Sequence, residues 1–149
     1  MSVSRLAYAV GKGLVAGLAG TTAMTISSTV EAKLRGRKPS KAPAKAAEKM
    51  LGIERFENDR AEARFSDLVH WGYGTGWGVV RGVLRELGLP PGLAAPLHFA
   101  AIWGSSLVTL PALDVAPPVT MWGREEIAID VLHHAVYVTA TGAAYELLE

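Results

Sequence analysis

The chain has no cysteine and comparatively few charged residues. Of its 149 residues, 19% are Asp, Glu, Lys or Arg, whereas about a quarter are charged in an average soluble domain. The lack of cysteine excludes disulfides, thiolate catalysis and thiolate metal sites. A formal net charge of +1 gives no electrostatic case for a nucleic-acid partner. The length predicts one domain, and the composition leans towards a membrane protein.

Charge is missing altogether from two long stretches, residues 13–30 and residues 87–113. A membrane-spanning helix needs about 20 predominantly apolar residues. Together with two less apolar segments, these stretches predict an all-α, four-helix transmembrane bundle embedded in the lipid bilayer. The predicted spans are residues 6–30, 65–87, 91–113 and 125–148, and the second is the weakest because it must include Arg81.

A long basic loop, residues 31–64, separates the first two predicted spans. Residues 44–51 of this loop are expected either to form a short helix at the membrane surface or to lie in a solvated loop. Loops one and three share a side of the membrane and contain most of the 15 Lys and Arg residues. The positive-inside rule therefore predicts a cytoplasmic long loop and two external termini.

Two common catalytic signatures are also missing. The stretch HWGYGTGWG at residues 70–78 does not match G-x-G-x-x-G, so a dinucleotide-binding loop is unsupported. Ser105 and Ser106 do not lie in a G-x-S-x-G turn, so hydrolase chemistry is unsupported as well. The sequence leaves an enzymatic activity open and favours none.

Glycines recur at helical spacing in the first two spans. Gly13 and Gly17 are four residues apart, and Gly74, Gly78 and Gly82 repeat every fourth residue. Small residues at this spacing let two membrane helices approach closely. We expect these glycines to form helix contacts, either within one chain or between copies. A homo-oligomer or another membrane-protein partner therefore stays open.

The last span has the opposite pattern to a soluble amphipathic helix. Glu126, Asp130, His134 and Tyr137 fall on one face of an otherwise apolar helix. A narrow polar face suits a helix surrounded by lipid on the outside and by other helices on the inside. Ionisable groups inside a membrane are costly, so they mark a candidate functional site.

Histidines of the other spans extend this polar seam. Asp130 and His134 are within reach of each other, and His70 is the expected partner from the second span. His98 enters from the opposite side of the membrane, so the positions are staggered through the bilayer. A stagger of this kind suggests a proton or ion path. The predicted seam comprises His70, His98, Glu126, Asp130, His134 and Tyr137.

Several other interpretations stay open. Each histidine could instead hydrogen-bond a neighbouring hydroxyl or carbonyl and fix helix register, as in a non-catalytic membrane interaction or accessory protein. The spacing of Glu126, Asp130 and His133 also occurs in carboxylate-bridged metal sites, although the first and third spans offer no acids. A haem would require two imidazoles at one depth, such as His70 or His98 with His134. No cofactor is predicted.

The later part of the chain contains a distinctive set of residues: His70 before a Gly- and aromatic-rich span, His98, the Pro117-Pro118 turn, Asp130, His134 and Glu146. Through these residues, the part of the chain from 65 to 149 resembles the YagU-like family of small bacterial inner-membrane proteins. This resemblance implies a multi-pass protein of the bacterial inner membrane and no particular chemistry. The basic long loop departs from the pattern expected of that family.

Overall fold

The computed structural model describes residues 2–38 and 40–148 and is all-α over this part of the chain, as predicted. Four long helices correspond to the four predicted segments, and a short helix occupies the middle of the long loop. The helices are α1 Val3–Leu34, α2 Ala42–Leu51, α3 Asp59–Glu86, α4 Pro91–Ala112 and α5 Arg124–Leu147, with a 3-10 turn at Val119–Met121.

The helix ends follow local sequence signals. The Ser2 side chain accepts a hydrogen bond from a main-chain N–H in the first turn of α1, and Asn58 does the same for α3. Pro91 begins α4, where proline costs no hydrogen bond. Gly52 after α2 and Gly88 after α3 have φ angles of 66° and 83°, which only glycine adopts easily. The turns are thus set by the residues next to them.

The four long helices alternate in direction. α1 lies between α3 and α5 and runs antiparallel to both, while α4 packs more lightly against α3 and α5. The long-loop end of the bundle is where α1 and α4 finish and where α3 and α5 begin. The termini end is the opposite one, where α1 begins, α5 ends and the α3–α4 turn lies. This arrangement leaves α1 as the helix with the most extensive packing.

Glycines produce the closest helix contact, between α1 and α3. A Cβ placed on Gly13 would lie 2.6 Å from the Gly78 carbonyl oxygen, and one placed on Gly17 would collide with the Thr75 carbonyl oxygen. These contacts lie within one chain, which was one of the two arrangements left open by the sequence. The same contact continues at Gly74, which meets Thr21, and at Gly82, which meets Ala9.

Two helices, α1 and α4, are long and apolar enough to cross a membrane. In the part of the chain that the structure describes, α3 and α5 do not meet the same criterion of length and composition. α3 and α5 each carry charged residues near both ends. The composition of the helices therefore supports membrane association more directly for α1 and α4 than for α3 and α5.

Candidate functional site

The face of α5 that turns towards the core carries a row of polar side chains. His133, Tyr137, Thr141 and Tyr145 are all buried and are spaced by four residues. The predicted seam used His134 in place of His133. The single predicted face therefore divides in two, because His134 and Asp130 are only partly buried and Asp130 bonds Trp103 of α4.

Glu126 does not belong to the interior, which corrects the predicted seam at this position. The side chain is exposed, and its Oε2 accepts a hydrogen bond of 2.8 Å from the main-chain N–H of Gly123. A carboxylate in the first turn satisfies a free N–H and interacts favourably with the helix dipole. Glu126 thus stabilises the beginning of α5.

Asp130 and His134 lie close together, but the carboxylate is engaged elsewhere. Nδ1 of His134 is 2.8 Å from the Asp130 main-chain oxygen and 3.7 Å from its carboxylate. Because a carbonyl can only accept, Nδ1 carries the proton. Oδ2 of Asp130 accepts a hydrogen bond of 2.8 Å from the Trp103 indole. Asp130 therefore joins α5 to α4.

His70 is not the partner of Asp130 and His134, so that prediction is wrong. Its Nε2 lies 2.8 Å from the Thr25 hydroxyl oxygen of α1. The reason is the position of α1, which packs between α3 and α5 and presents its own hydroxyls to both. His70 therefore joins α3 to α1.

His133 contacts a cluster of ionisable groups at the long-loop end. Its Nδ1 is 2.9 Å from the Ser27 hydroxyl oxygen, and its Nε2 is 3.6 Å from the Glu31 carboxylate. The side chains of His133 and Glu31 are 7% and 13% exposed. Glu31 also pairs with Arg35 and Arg37. The hydrogen bond between Glu31 and Arg37 raises the pKa of Arg37. An imidazole and a carboxylate thus share a nearly closed site.

The centre of the bundle contains a second histidine and a tyrosine. Nε2 of the fully buried His98 is 3.0 Å from the Trp77 main-chain oxygen, so this nitrogen carries the proton. The Tyr137 hydroxyl donates a hydrogen bond of 2.6 Å to the Gly74 carbonyl. The rings of His98 and Tyr137 meet edge to face, with centroids 5.7 Å apart. These contacts join α3, α4 and α5.

An ion-pair cluster lies near the termini end. The Arg81 side chain is 2% exposed, and its Nη2 donates a hydrogen bond of 3.1 Å to Glu146. Nε of Arg85 is 3.2 Å from the same carboxylate oxygen, and its Nη1 donates to the Leu89 main-chain oxygen at 2.7 Å. Sequence reasoning treated Arg81 only as a cost to the second span. One feature of the sequence could have indicated this pair: Glu146 has the opposite charge and lies near the same end of another predicted span.

Polar side chains therefore occur at both ends and in the centre of the bundle interior. Of the predicted seam, the structure brings His70, His98 and Tyr137 into this interior. Sequence reasoning missed the contacts made by Glu31, Arg81 and His133. We call the whole set the interior polar column, and it comprises Thr25, Ser27, Glu31, His70, Arg81, His98, His133, Tyr137 and Glu146.

The residues considered for a metal site point in different directions. Glu126 bonds Gly123, Asp130 bonds Trp103, and His133 contacts α1. Over residues 2–38 and 40–148, no three His, Asp or Glu side chains are grouped so that they could hold a metal ion. His70, His98 and His134, considered for haem, each contact a protein oxygen.

Comparisons of this chain with protein-family models, with curated proteins and with solved structures give no match.

Proposed function

We propose that this chain is an integral membrane protein with four spanning helices, α1, α3, α4 and α5. The first support is the exposure of apolar surface. The most apolar 18-residue windows of α1 and α4 are only 28% and 17% buried, whereas a core helix of a soluble protein would be largely covered. Leu14, Leu18 and Ile26 of α1 and Leu97 and Val108 of α4 are all exposed. A bilayer would cover this surface.

The charges of α3 and α5 are compatible with spanning helices because several of them pair inside the bundle. Arg81 of α3 is buried and pairs with Glu146 of α5, so its guanidinium does not have to face lipid. The exposed side chains of the two helices include Leu68, Trp71 and Leu132. Intramembrane ionisable residues in known proteins face the bundle interior and pair with each other in the same way.

Helix lengths and surface ion pairs also support this proposal. At 1.5 Å per residue, the 22 residues of α4 and the 24 residues of α5 extend over about 33 and 36 Å. A hydrocarbon core is about 30 Å thick. Ion pairs lie at both ends of the bundle, between Arg5 and Glu86 and between Arg35 and Glu125. Arg5 and Arg35 lie near the two ends of α1, about 45 Å apart at this rise, which matches a bilayer including its headgroup regions, about 40–45 Å.

For the molecular function, we propose proton- or ion-linked activity through the interior polar column. The observation that carries this proposal is the presence of buried ionisable groups at three levels. His133 contacts Glu31 at the long-loop end, His98 lies in the centre, and Arg81 pairs with Glu146 near the termini end. The imidazoles of His133 and His98 and the carboxylates of Glu31 and Glu146 can gain or lose a proton, and they occur along the whole bundle, as in proton relays of membrane proteins.

The test is a proton-flux measurement on the purified protein in liposomes. A pH-sensitive dye is trapped inside, and the vesicles are diluted into a more acidic chloride buffer. We expect faster internal acidification than in protein-free liposomes. His133→Gln should remove most of the difference, because the amide side chain cannot carry the proton. His134→Gln is the matched control, since His134 contacts its own helix, and its flux should stay unchanged. Equal rates with and without protein would contradict the proposal.

A second candidate function is that of a non-catalytic membrane interaction or accessory protein. It is favoured by the hydrogen bonds that His70, His98 and Tyr137 make to hydroxyl or carbonyl oxygens of neighbouring helices. Such bonds also fix helix register without any proton transfer. For this candidate, the corresponding variants would lower stability in detergent while the liposomes show no protein-dependent flux.

The cytoplasmic position of the long loop and the inner-membrane location remain parts of this proposal. The first is supported by the basic residues of the long loop, among them Arg35, Arg37 and Lys41. Lys41 is held near the beginning of α2 by a contact of 2.8 Å with Glu62, and this contact raises the pKa of its ammonium group. The second is supported by the resemblance to the YagU-like family.

A further inference from the structure

An open cavity lies at the long-loop end of the bundle, between α2 and the loop that follows α4. Its volume is about 550 Å³, within the range of about 300–1,000 Å³ that is common for small-molecule sites. α2 contacts both α3 and α4, so the two sides of the cavity belong to one packed unit. The lining residues are Lys45, Glu48, Lys49, Gly52, Ile53, Glu54, Asp114 and Val115.

Most of the charged side chains in this cavity have no partner in the protein. Lys45, Lys49, Glu54 and Asp114 are exposed. Within residues 2–38 and 40–148, none of these four side chains forms a hydrogen bond or an ion pair. Lys41, one turn before Lys45 on α2, differs because it pairs with Glu62. The four charges are therefore open to a ligand.

The two lysines form the cationic part of the cavity. Lys45 and Lys49 are four residues apart in α2, so they lie one turn apart on the same face. Like charges at this spacing repel each other. An anionic group held by both ammonium groups offsets the repulsion and accepts a hydrogen bond from each. A phosphate group has enough acceptor oxygens to do so.

Carboxylates form the anionic part, and they come from two separate segments. Glu54 follows α2, and Asp114 follows α4. With Glu48, the cavity has three carboxylates against two lysines, so a purely anionic ligand would meet an excess of negative charge. The described residues include no group of three acids or histidines that could hold a metal ion. A ligand with both a phosphate and an ammonium group fits this charge pattern.

The surroundings of the cavity indicate that this ligand is a lipid. Met50 and Leu51 are 71% and 67% exposed and directly precede Gly52, which lines the cavity. Asp114 is two residues beyond the end of α4, a proposed spanning helix, so the cavity lies at the level of the lipid headgroups. Exposed apolar side chains at this level contact acyl chains.

We propose that this cavity binds a phospholipid with a phosphoethanolamine headgroup. The phosphate accepts hydrogen bonds from Lys45 and Lys49, and the ammonium group of the lipid donates to Glu54 and Asp114. The acyl chains run past Met50 and Leu51 towards the hydrocarbon region. This inference rests on the membrane part of the proposed function, to which it adds a lipid partner.

The test counts the lipid that binds to delipidated protein in a neutral detergent. Lipids are added in mixed micelles, and the mass of the intact protein released from the micelles gives the number retained. We expect one phosphatidylethanolamine per chain at saturation. Phosphatidylcholine should bind about tenfold more weakly, because its methylated ammonium group has no N–H to donate. Phosphatidylglycerol, which has no cationic group, should be weaker too. Equal or tighter binding of phosphatidylglycerol would overturn the inference.

Two matched pairs of variants test the position of the site. Asp114 has a φ of 52°, which asparagine also tolerates, so Asp114→Asn removes the charge without straining the backbone. We expect Asp114→Asn and Lys49→Gln each to weaken phosphatidylethanolamine binding about tenfold. The controls Glu57→Gln and Lys38→Gln make the same charge changes at exposed positions outside the cavity and should have no effect. Equal effects in variants and controls would overturn the assignment.

Water-soluble glycerophosphoethanolamine distinguishes a lipid from a free ligand of the same chemistry. It has the headgroup without acyl chains, so it should compete with the lipid only when present in large excess. Competition at equal concentration would overturn the lipid assignment in favour of a soluble ligand.

Retention in carbonate-washed membranes tests the membrane part of the proposed function separately. A protein that is retained there but shows no preference for phosphatidylethanolamine would overturn this inference alone. Recovery of the protein in the soluble fraction would contradict the membrane part of the proposed function. Selective lipid binding together with no proton flux in liposomes would contradict the ion-linked activity and leave this inference supported.

Discussion

At the scale of single residues, polar side chains in this protein join neighbouring helices. His70 bonds a hydroxyl of α1, Tyr137 bonds a carbonyl of α3, and Asp130 bonds the indole of Trp103 in α4. Hydrogen bonds between membrane helices contribute modestly, on average about 0.6 kcal/mol and at most about 2 kcal/mol. Their main effect is to select one helix register, because a shifted helix would leave several buried groups unpaired.

Tyr137→Phe tests the value of one such bond. The variant keeps the ring and its contact with His98 but loses the hydrogen bond to the Gly74 carbonyl. We expect a loss of about 1 kcal/mol in the free energy of unfolding, because the Gly74 carbonyl no longer accepts a hydrogen bond from the hydroxyl group. The measurement is denaturant unfolding in detergent. Tyr73→Phe is the matched control, since Tyr73 is 47% exposed, and equal losses in the two variants would contradict the assignment.

At the scale of helices, the crossing of α1 and α3 holds the bundle together. The two backbones meet at Gly13 and Gly78, and no side chain separates them. In a membrane, apolar side chains gain little by leaving lipid for another helix. Contact between two helices there depends instead on how closely their surfaces fit. Any Cβ at the crossing therefore forces the helices apart.

Gly78→Ala and Gly76→Ala form a matched pair that tests this crossing. Alanine is favoured over glycine in a helix by about 1 kcal/mol, so Gly76→Ala should be neutral or stabilising, as its Cβ would meet nothing within 4 Å. The Cβ of Gly78→Ala would collide with the backbone of Gly13 and Gly17, and we expect a loss of about 2 kcal/mol or more. The measurement is thermal unfolding in detergent, and equal midpoints would show that the crossing is unimportant.

The helices and their glycine rows could be predicted from the sequence, because both depend on local spacing. The face of α5 could not, since neighbouring residues differ by about 100° around a helix and either His133 or His134 fits a four-residue step. The structure selects His133 because α1 supplies Ser27 and Glu31 opposite it. The pair of Arg81 and Glu146 depends on how distant helices pack, and local spacing contains no information on that.

At the scale of the whole molecule, four long helices form a bundle with apolar exterior surface and paired charges inside. α1 and α4 satisfy the length and hydropathy expected of membrane spans. The status of α3 and α5 distinguishes a four-span protein from one in which only α1 and α4 cross. The two arrangements differ in the side of the membrane on which the α3–α4 turn lies, relative to the long loop.

Cysteine labelling decides between these arrangements, and the chain has no native cysteine to interfere. Single substitutions Ser40→Cys, Gly92→Cys and Thr120→Cys place a thiol at exposed positions in the long loop, beside the α3–α4 turn and before α5. A membrane-impermeant maleimide is then applied to intact and to lysed bacterial cells. Four spans predict that Ser40→Cys and Thr120→Cys behave alike and that Gly92→Cys labels from the opposite side. Labelling of Ser40→Cys and Gly92→Cys from the same side would contradict the account.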